Sequence, residues 1–432
     1  MSHVATDPNI AGTNGSGGIA DDMLTTADGV PLKVSLGRAQ ARSRRRAFFL
    51  VLPLLAFLLI TFVSPIAQML NRAIYNPDFP ENMVELTAWF KANPRGSEIN
   101  EQAYGALATD LKSLRENFTA GTVGTRVNYE MSGTRSLFTS SARDADRLKP
   151  PYKEALLAMN SKWDSARLWE VMREVSSAYT PNFLLAALDL TRTATGGVTP
   201  VNPERQIYVS LYLRTLQLSA LITLITLILG FPIAHLLATL PLRRSNMLMI
   251  FVLLPFWTSL LVRTTAWIVL LQSQGVINDL LVWLGLITDQ GRVQLIYNKI
   301  GTIIAMTHIL LPFMVLPLYS VMRSIDPSYT RAARSLGATS WTAFRRIYLP
   351  QTLPGMGAGA LLVFIMAVGY YITPALVGGA SGQLISNMIA YHMQDSLNWS
   401  LAAALAAILL VGVLILYWLY DRIVGIDKLK LG

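Results

Sequence analysis

Residues 325–355 read IDPSYTRAARSLGATSWTAFRRIYLPQTLPG. The stretch lies between two long apolar runs. It is too polar to enter a bilayer, yet it is patterned as helix. Asp326 then Pro327 is a helix-start pair: a side-chain acceptor, followed by a residue with preset φ and no N–H to lose. Tyr329, Ala332, Ala333 and Leu336 recur at i, i+3, i+4 and i+7, an apolar stripe on one helix face. Gly337 stands where a helix ends in a left-handed residue. Thr339 or Ser340 caps a second short helix with Trp341, Phe344 and Tyr348 as its buried face, and Pro350 stops it. The spacing predicts a helix–turn–helix peg. Its bend carries the small residues Ala332, Ala333 and Gly337, flanked by Arg331, Arg334, Arg345 and Arg346.

The runs on either side are membrane-spanning. Only 14% of the 432 residues are charged and 52% are hydrophobic, against about 25% charged in a soluble average. A span needs roughly 20 mainly apolar residues. Six stretches meet or approach this: about 48–70, 208–238, 247–271, 301–322, 354–378 and 401–420. Pro312, Pro317, Gly355, Gly357 and Gly359 interrupt the fourth and fifth. Such residues are tolerated in spans where neighbouring helices satisfy the backbone.

Lys/Arg placement orients the chain. Arg42, Arg44, Arg45 and Arg46 precede the first run, and Arg243 and Arg244 follow the second. Arg323, Arg331, Arg334, Arg345 and Arg346 follow the fourth, and Arg422, Lys428 and Lys430 the last. With six spans every cluster falls on one side, predicting cytoplasmic N- and C-termini. The net charge of +10 is therefore positive-inside bias. No nucleic-acid partner is expected, because the basic residues sit beside spans and not on a soluble aromatic-studded face. Cysteine is absent, which removes disulfides, thiolate metal sites and thiol catalysis.

The expected organisation follows. Residues 1–46 form a disordered basic cytoplasmic tail, and 47–70 the first transmembrane helix, an uncleaved anchor. Residues 71–207 are a helical extracytoplasmic insert, with sixteen Lys/Arg and sixteen Asp/Glu, suited to a solvated surface. Helical periodicity marks 81–92, 99–118, 151–159 and 162–178, and Gly/Thr-rich linkers occupy 119–125 and 193–200. Residues 208–425 are a five-helix core holding the loop at 326–350, with an interfacial helix at 275–287. Residues 426–432 are a cytoplasmic tail.

The loop resembles the cytoplasmic EAA loop of ABC importer permeases: E-A-A, three residues, glycine, nine residues, then I-x-L-P. Here Ala332-Ala333 precede Gly337 by the same three residues, and Ile347-Tyr348-Leu349-Pro350 follow at the same nine. Arg331 replaces the family's glutamate. LPFWTSLLVRTTAWIVLL (254–271), LPFMVLPLYSVM (311–322) and YYITPALVGG (370–379) resemble permeases of the spermidine/putrescine importer group. The insert is longer than in that group, and no acid stands at or near Tyr370. The resemblance implies an all-α polytopic protein of the type I ABC importer permease fold with six transmembrane helices, in a bacterial inner membrane. It implies these partners: a second permease subunit, two ATPase subunits and a periplasmic solute-binding protein. It assigns coupling to the ATPase to Tyr329, Arg331, Ala332, Ala333, Arg334, Leu336, Gly337, Ala338, Trp341 and Phe344. The implied solute is small, polar and organic, with polyamines first and an opine or amino-acid derivative next.

The sequence holds no G-x-x-x-x-G-K-[S/T], so no phosphate-cradling loop is present. No cofactor is expected on this chain; ATP and Mg would be bound by the partner ATPase. No paired carboxylates or Ser–His–Asp arrangement points to an enzyme. His235 and His308 read as lone packing residues, and no metal cluster is expected. Polar groups inside spans are costly and raise functional hypotheses. Trp257, Thr258, Arg263, Tyr370 and Tyr371 are the candidate substrate-pathway residues, where aromatic faces would offer an organic cation about 0.5–2 kcal/mol each. Arg263 also reads as an internal ion-pair or carbonyl partner, and Arg214 as a snorkelling side chain. A secondary transporter or channel would work in vesicles without an ATPase, but the spans lack the acid chain of a proton relay. A membrane-anchored sensor lacks any signalling domain here.

Overall fold

The computed structural model describes residues 32–193 and 197–424. A first unit ends at Ala67. Its helix runs Leu32–Leu58 and passes through a π turn at Leu59–Val63 into Ser64–Asn71. The disordered tail expected through residue 46 is therefore corrected: residues 32–46 are the first turns of this helix, as their leucine, alanine and arginine favour. The rest of that tail, 1–31, and the tail at 426–432 lie outside the described residues.

The second unit holds the insert and the core. The insert contains helices Val84–Ala92, Glu101–Glu116, Ala120–Asn128, Thr134–Arg143, Tyr152–Met159, Ala166–Val175 and Asn182–Ala186. They enclose one core of buried side chains, with Leu86, Leu107, Leu111, Phe138, Trp163 and Met172 fully interior. Local rules explain several starts: Asn100 and Ser165 accept from the backbone of their own first turns, caps worth about 1 kcal/mol each.

The linker expected at 119–125 is instead part of the helix Ala120–Asn128. Its glycines read as breakers, but Gly124 is used for contact. A β-carbon there would lie 3.0 Å from the Arg135 backbone, so only glycine lets this helix cross Thr134–Arg143 so closely. Tertiary packing overrides propensity at that point. The linker expected at 193–200 follows the strand Leu190–Arg192 and ends in its antiparallel partner Val198–Pro200, with 194–196 outside the described residues.

Asp110 shows how the insert is tied together. Its carboxylate accepts from the Glu85 and Leu86 amides at 3.1 and 2.8 Å, at the start of Val84–Ala92. Burial still pushes its pKa up from 3.8 to about 6, against these two backbone bonds. The folded state then binds more protons than the unfolded one between those values, so stability falls as pH rises from about 4 to 6 and is level above that. Unfolding midpoints of the full chain measured across this range should carry that slope, and Asp110→Asn should flatten it.

The core is built from spans Tyr208–Thr239, Leu260–Trp283, Lys299–Ser324, Ser340–Gly369 and Trp399–Arg422, which with Gln40–Asn71 make six helices long and apolar enough to cross a membrane. The second, fourth and fifth pack together through Ile222, Ala234, Met306, Leu310, Met314, Val363 and Ala367. Lipid tails are as apolar as these side chains, so close backbone approach drives the packing. Gly230 and Gly359 both receive Met314, within 3.0 and 2.8 Å of where a β-carbon would stand.

Two expected spans differ. The run 247–271 is broken: a helix Leu242–Leu253, a 3-10 turn Leu254–Trp257, then Leu260–Leu271 started by the Ser259 hydroxyl. Pro255 lacks an N–H and cannot continue the ladder. After a turn at 272–275 a separate short helix, Val276–Trp283, occupies the segment expected as an interfacial helix. The run 354–378 is shifted: its helix starts at Ser340 and ends at Gly369, where Tyr370 is extended and a short helix Ile372–Val377 follows. Pro350 therefore stops nothing. A π turn at Phe344–Tyr348 displaces the carbonyls its ring would strike.

The insert is seated on the core at one membrane face. Asn76 donates to Ser400 and the Tyr129 hydroxyl to the Leu397 carbonyl, at 3.0 and 3.3 Å. Buried Asp189 accepts from the amides of Ile207, Tyr208 and Val209, capping the second span from within the insert. The loop at 326–350 lies at the opposite face.

Candidate functional site

At the loop face the helix Pro327–Ser335 begins as its sequence requires. Asp326 accepts from the Ser328 amide at 2.8 Å, and Pro327 occupies the first turn. Gly337 ends it at φ +87° with nothing near its Cα hydrogens. Thr339, one of the two expected caps, accepts from the Thr342 amide at 3.2 Å. The expected apolar stripe and buried face are partly corrected. Tyr329 is exposed, Leu336 is 89% exposed and Trp341 68%, while Phe344 is half-buried and Tyr348 buried. Ala332, Arg331 and Arg334 are also exposed, and Ala333 and Ala338 are half-covered. The tip thus presents apolar side chains that no element among the described residues covers.

Behind the tip the contacts become tight. Trp341 stacks on Phe344 and Phe344 on Tyr348, with centroids 5.7 and 5.9 Å apart. Phe344 meets Phe231 edge-on, and the Tyr348 hydroxyl lies 3.0 Å from His235 Nδ1. Arg323 donates to the carbonyls of Ala238 and Leu240, holding the end of the second span to the fourth. A cavity of about 710 Å³ between these elements is lined by His235, Arg323, Asp326, Arg334, Phe344 and Tyr348. The aromatic ladder thus joins the loop to the second span, and Arg323 joins the second span to the fourth. The ladder's last rung was invisible in sequence: His235 and Tyr348 are 113 positions apart.

Between the two faces the pathway candidates separate into groups. Trp257 projects 71% exposed from its 3-10 turn, and the Thr258 hydroxyl donates to the Pro255 carbonyl at 3.0 Å, an internal turn contact. Arg263 lies within electrostatic range of His308 and Tyr370, with its buried Nε unpaired. His308 accepts from Trp267 Nε1 at 3.2 Å, the packing role expected of it. Arg214 donates to the Ala380 carbonyl at 3.0 Å, a defined bond where snorkelling was expected. Tyr370 and Tyr371 form the unwound link after the fifth span. Their carbonyls accept from Ser386 and Asn387, each at 2.7 Å. Those two partners, and the Thr264–Thr373 hydroxyl pair at 3.3 Å, were missed in the sequence. Isolated hydroxyls and amides in a helix carry no periodic signal.

Six spans, two of them broken, with a peg at one face and an unwound link near the other, define a polytopic transport protein. Residues 226–424 match the family described as binding-protein-dependent transport system inner membrane component. The spermidine/putrescine transport system permease protein PotB of Salmonella typhimurium is 36% identical over 222 residues, 51% of this chain and 77% of that protein. PotB of Haemophilus influenzae is 33% identical over 250 residues, 56% and 87% of the two chains. A solved bacterial ABC transporter involved in the import of alginate covers 68% of this chain and 99% of its own, at 19% identity and a TM-score of 0.46. This chain belongs to the binding-protein-dependent permease family. It is a multi-pass inner-membrane permease subunit of an ABC importer, a transport component working with a solute-binding protein and other ABC subunits.

Proposed function

We propose that this permease imports a polyamine-like solute, and that residues 326–350 couple it to an ATPase. The coupling rests on one observation: an apolar tip uncovered among the described residues, at a left-handed glycine elbow, joined to the second span through Trp341, Phe344 and Tyr348. Exposed apolar surface of this kind marks an interface. Two ATPase subunits, holding ATP and Mg, would grip this peg and that of a second permease subunit. Closure of the motor then rocks the spans between inward- and outward-facing states. The termini and the peg are cytoplasmic, as the Lys/Arg bias supports, and the insert faces the periplasmic solute-binding protein. The solute class is that of the spermidine/putrescine permeases to which this chain is 33–36% identical. An opine or other amino-acid derivative is the next candidate.

Reconstituted with its ATPase and binding protein, the permease should accumulate labelled spermidine only when ATP is supplied. Accumulation without the ATPase would assign the chain to secondary transport. ATP-driven uptake of an opine with no competition by spermidine would reassign the solute.

A further inference from the structure

Beside the unwound link lies a cavity of about 420 Å³ whose polar lining is Tyr371, Gln383, Asn387, Tyr391, Gln394 and Asp395. Its charge is unusual for this core. No glutamate follows Glu204. Among the described residues after 207, Asp279 and Asp289 pair with Arg292 at 2.8 and 2.9 Å. Asp326 caps a helix at the opposite face, and Asp421 lies at the far end of the last span. Asp395 remains: an exposed carboxylate, in no ion pair among the described residues, at the mouth of a cavity.

Its position compounds the charge. Asp395 is the C-cap of the helix Ile385–Gln394, where terminal carbonyls already present partial negative charge. An acid at that end is unfavourable in isolation and favourable only with a cation beside it. The ring of Tyr391 stands one turn before Asp395, and that of Tyr371 lines the same space. The scaffold is fixed: Asn387 donates to the Tyr371 carbonyl at 2.7 Å and accepts from the Leu384 amide at 2.9 Å. Arg214 is bonded to the Ala380 carbonyl and Arg263 lies within electrostatic range of Tyr370, and neither guanidinium is in the lining.

A carboxylate, two aromatic faces and the side-chain amides of Gln383 and Gln394 suit an ammonium group on an aliphatic stem. We infer that Asp395 receives the ammonium end of the solute in this permease, with Tyr371 and Tyr391 as walls for its methylene chain. The inference rests on the polyamine reading above.

The test is spermidine uptake by the complete transporter in proteoliposomes, with ATP hydrolysis measured in parallel. Asp395→Asn should raise the KM for spermidine about tenfold, the loss of one charged hydrogen bond, with basal ATP hydrolysis unchanged. Asp395→Glu should restore most of the affinity. A wild-type transporter that moves spermidine, beside an asparagine variant with unchanged KM, overturns the role of Asp395 and leaves the polyamine reading standing. A loss of basal hydrolysis in Asp395→Asn that Asp395→Glu does not repair also overturns it, since the residue is then structural. A wild-type transporter that moves no spermidine overturns the polyamine reading, and this inference with it.

Discussion

Gly337→Arg should abolish ATP-driven uptake while the protein still inserts and folds. The two halves of that result have separate causes. At φ +87° a residue with a β-carbon is strained by about 1–2 kcal/mol, small beside a domain stability of about 5–15 kcal/mol. No atom of the described residues lies within 4 Å of the added carbon, so it meets no clash there. The damage falls on whatever docks there: a long cation would stand on the elbow, between Leu336 and Trp341. Gly337→Asn is the control, because asparagine tolerates the left-handed region and adds little bulk. It should transport at near wild-type rate. Normal uptake by the arginine variant would remove the coupling role from residues 326–350.

Trp163→Ala should cost the insert about 3–5 kcal/mol, the range for truncating a buried large aromatic. Trp163 is fully buried, meets Phe138 edge-on at 5.3 Å and donates from Nε1 to the Ser141 hydroxyl at 3.0 Å. Its carbonyl accepts from the Trp169 indole at 2.8 Å, so the cavity would open where three helices meet. Limited proteolysis of the full chain in detergent reads this directly: cleavage within 72–206 should accelerate sharply. Phe118→Ala, at a side chain 93% exposed, should leave the rate unchanged. Equal rates for both variants would mean that the insert is not one cooperative core.

Much of the site was legible because local rules act there. Asp326, Pro327, Gly337 and Thr339 each do what their residue type prescribes at a helix end, and no distant contact is needed. Which side chains of the loop would be covered was not legible. Apolar periodicity announces that a face will be buried without saying by what. Tyr329, Leu336 and Trp341 carry the pattern of a core and stand exposed in this chain. Breaks inside spans were equally hidden. Pro255 ends a helix, whereas Pro312, Pro317, Pro350 and Pro354 lie within helices. Whether a proline breaks a span depends on what re-satisfies the freed carbonyls.

The sequence by itself determined the number of crossings, their orientation bias, the position of the elbow and the family. Each depends on composition or on spacings within a few turns of one helix. Only the tertiary structure decided that His235 anchors the ladder from Trp341, that Gly124 is a contact and not a linker, and that Tyr371 and Asp395 line one cavity. Those pairings join residues far apart in the chain. They are chosen by which backbones approach closely enough to pack, and no local pattern encodes that.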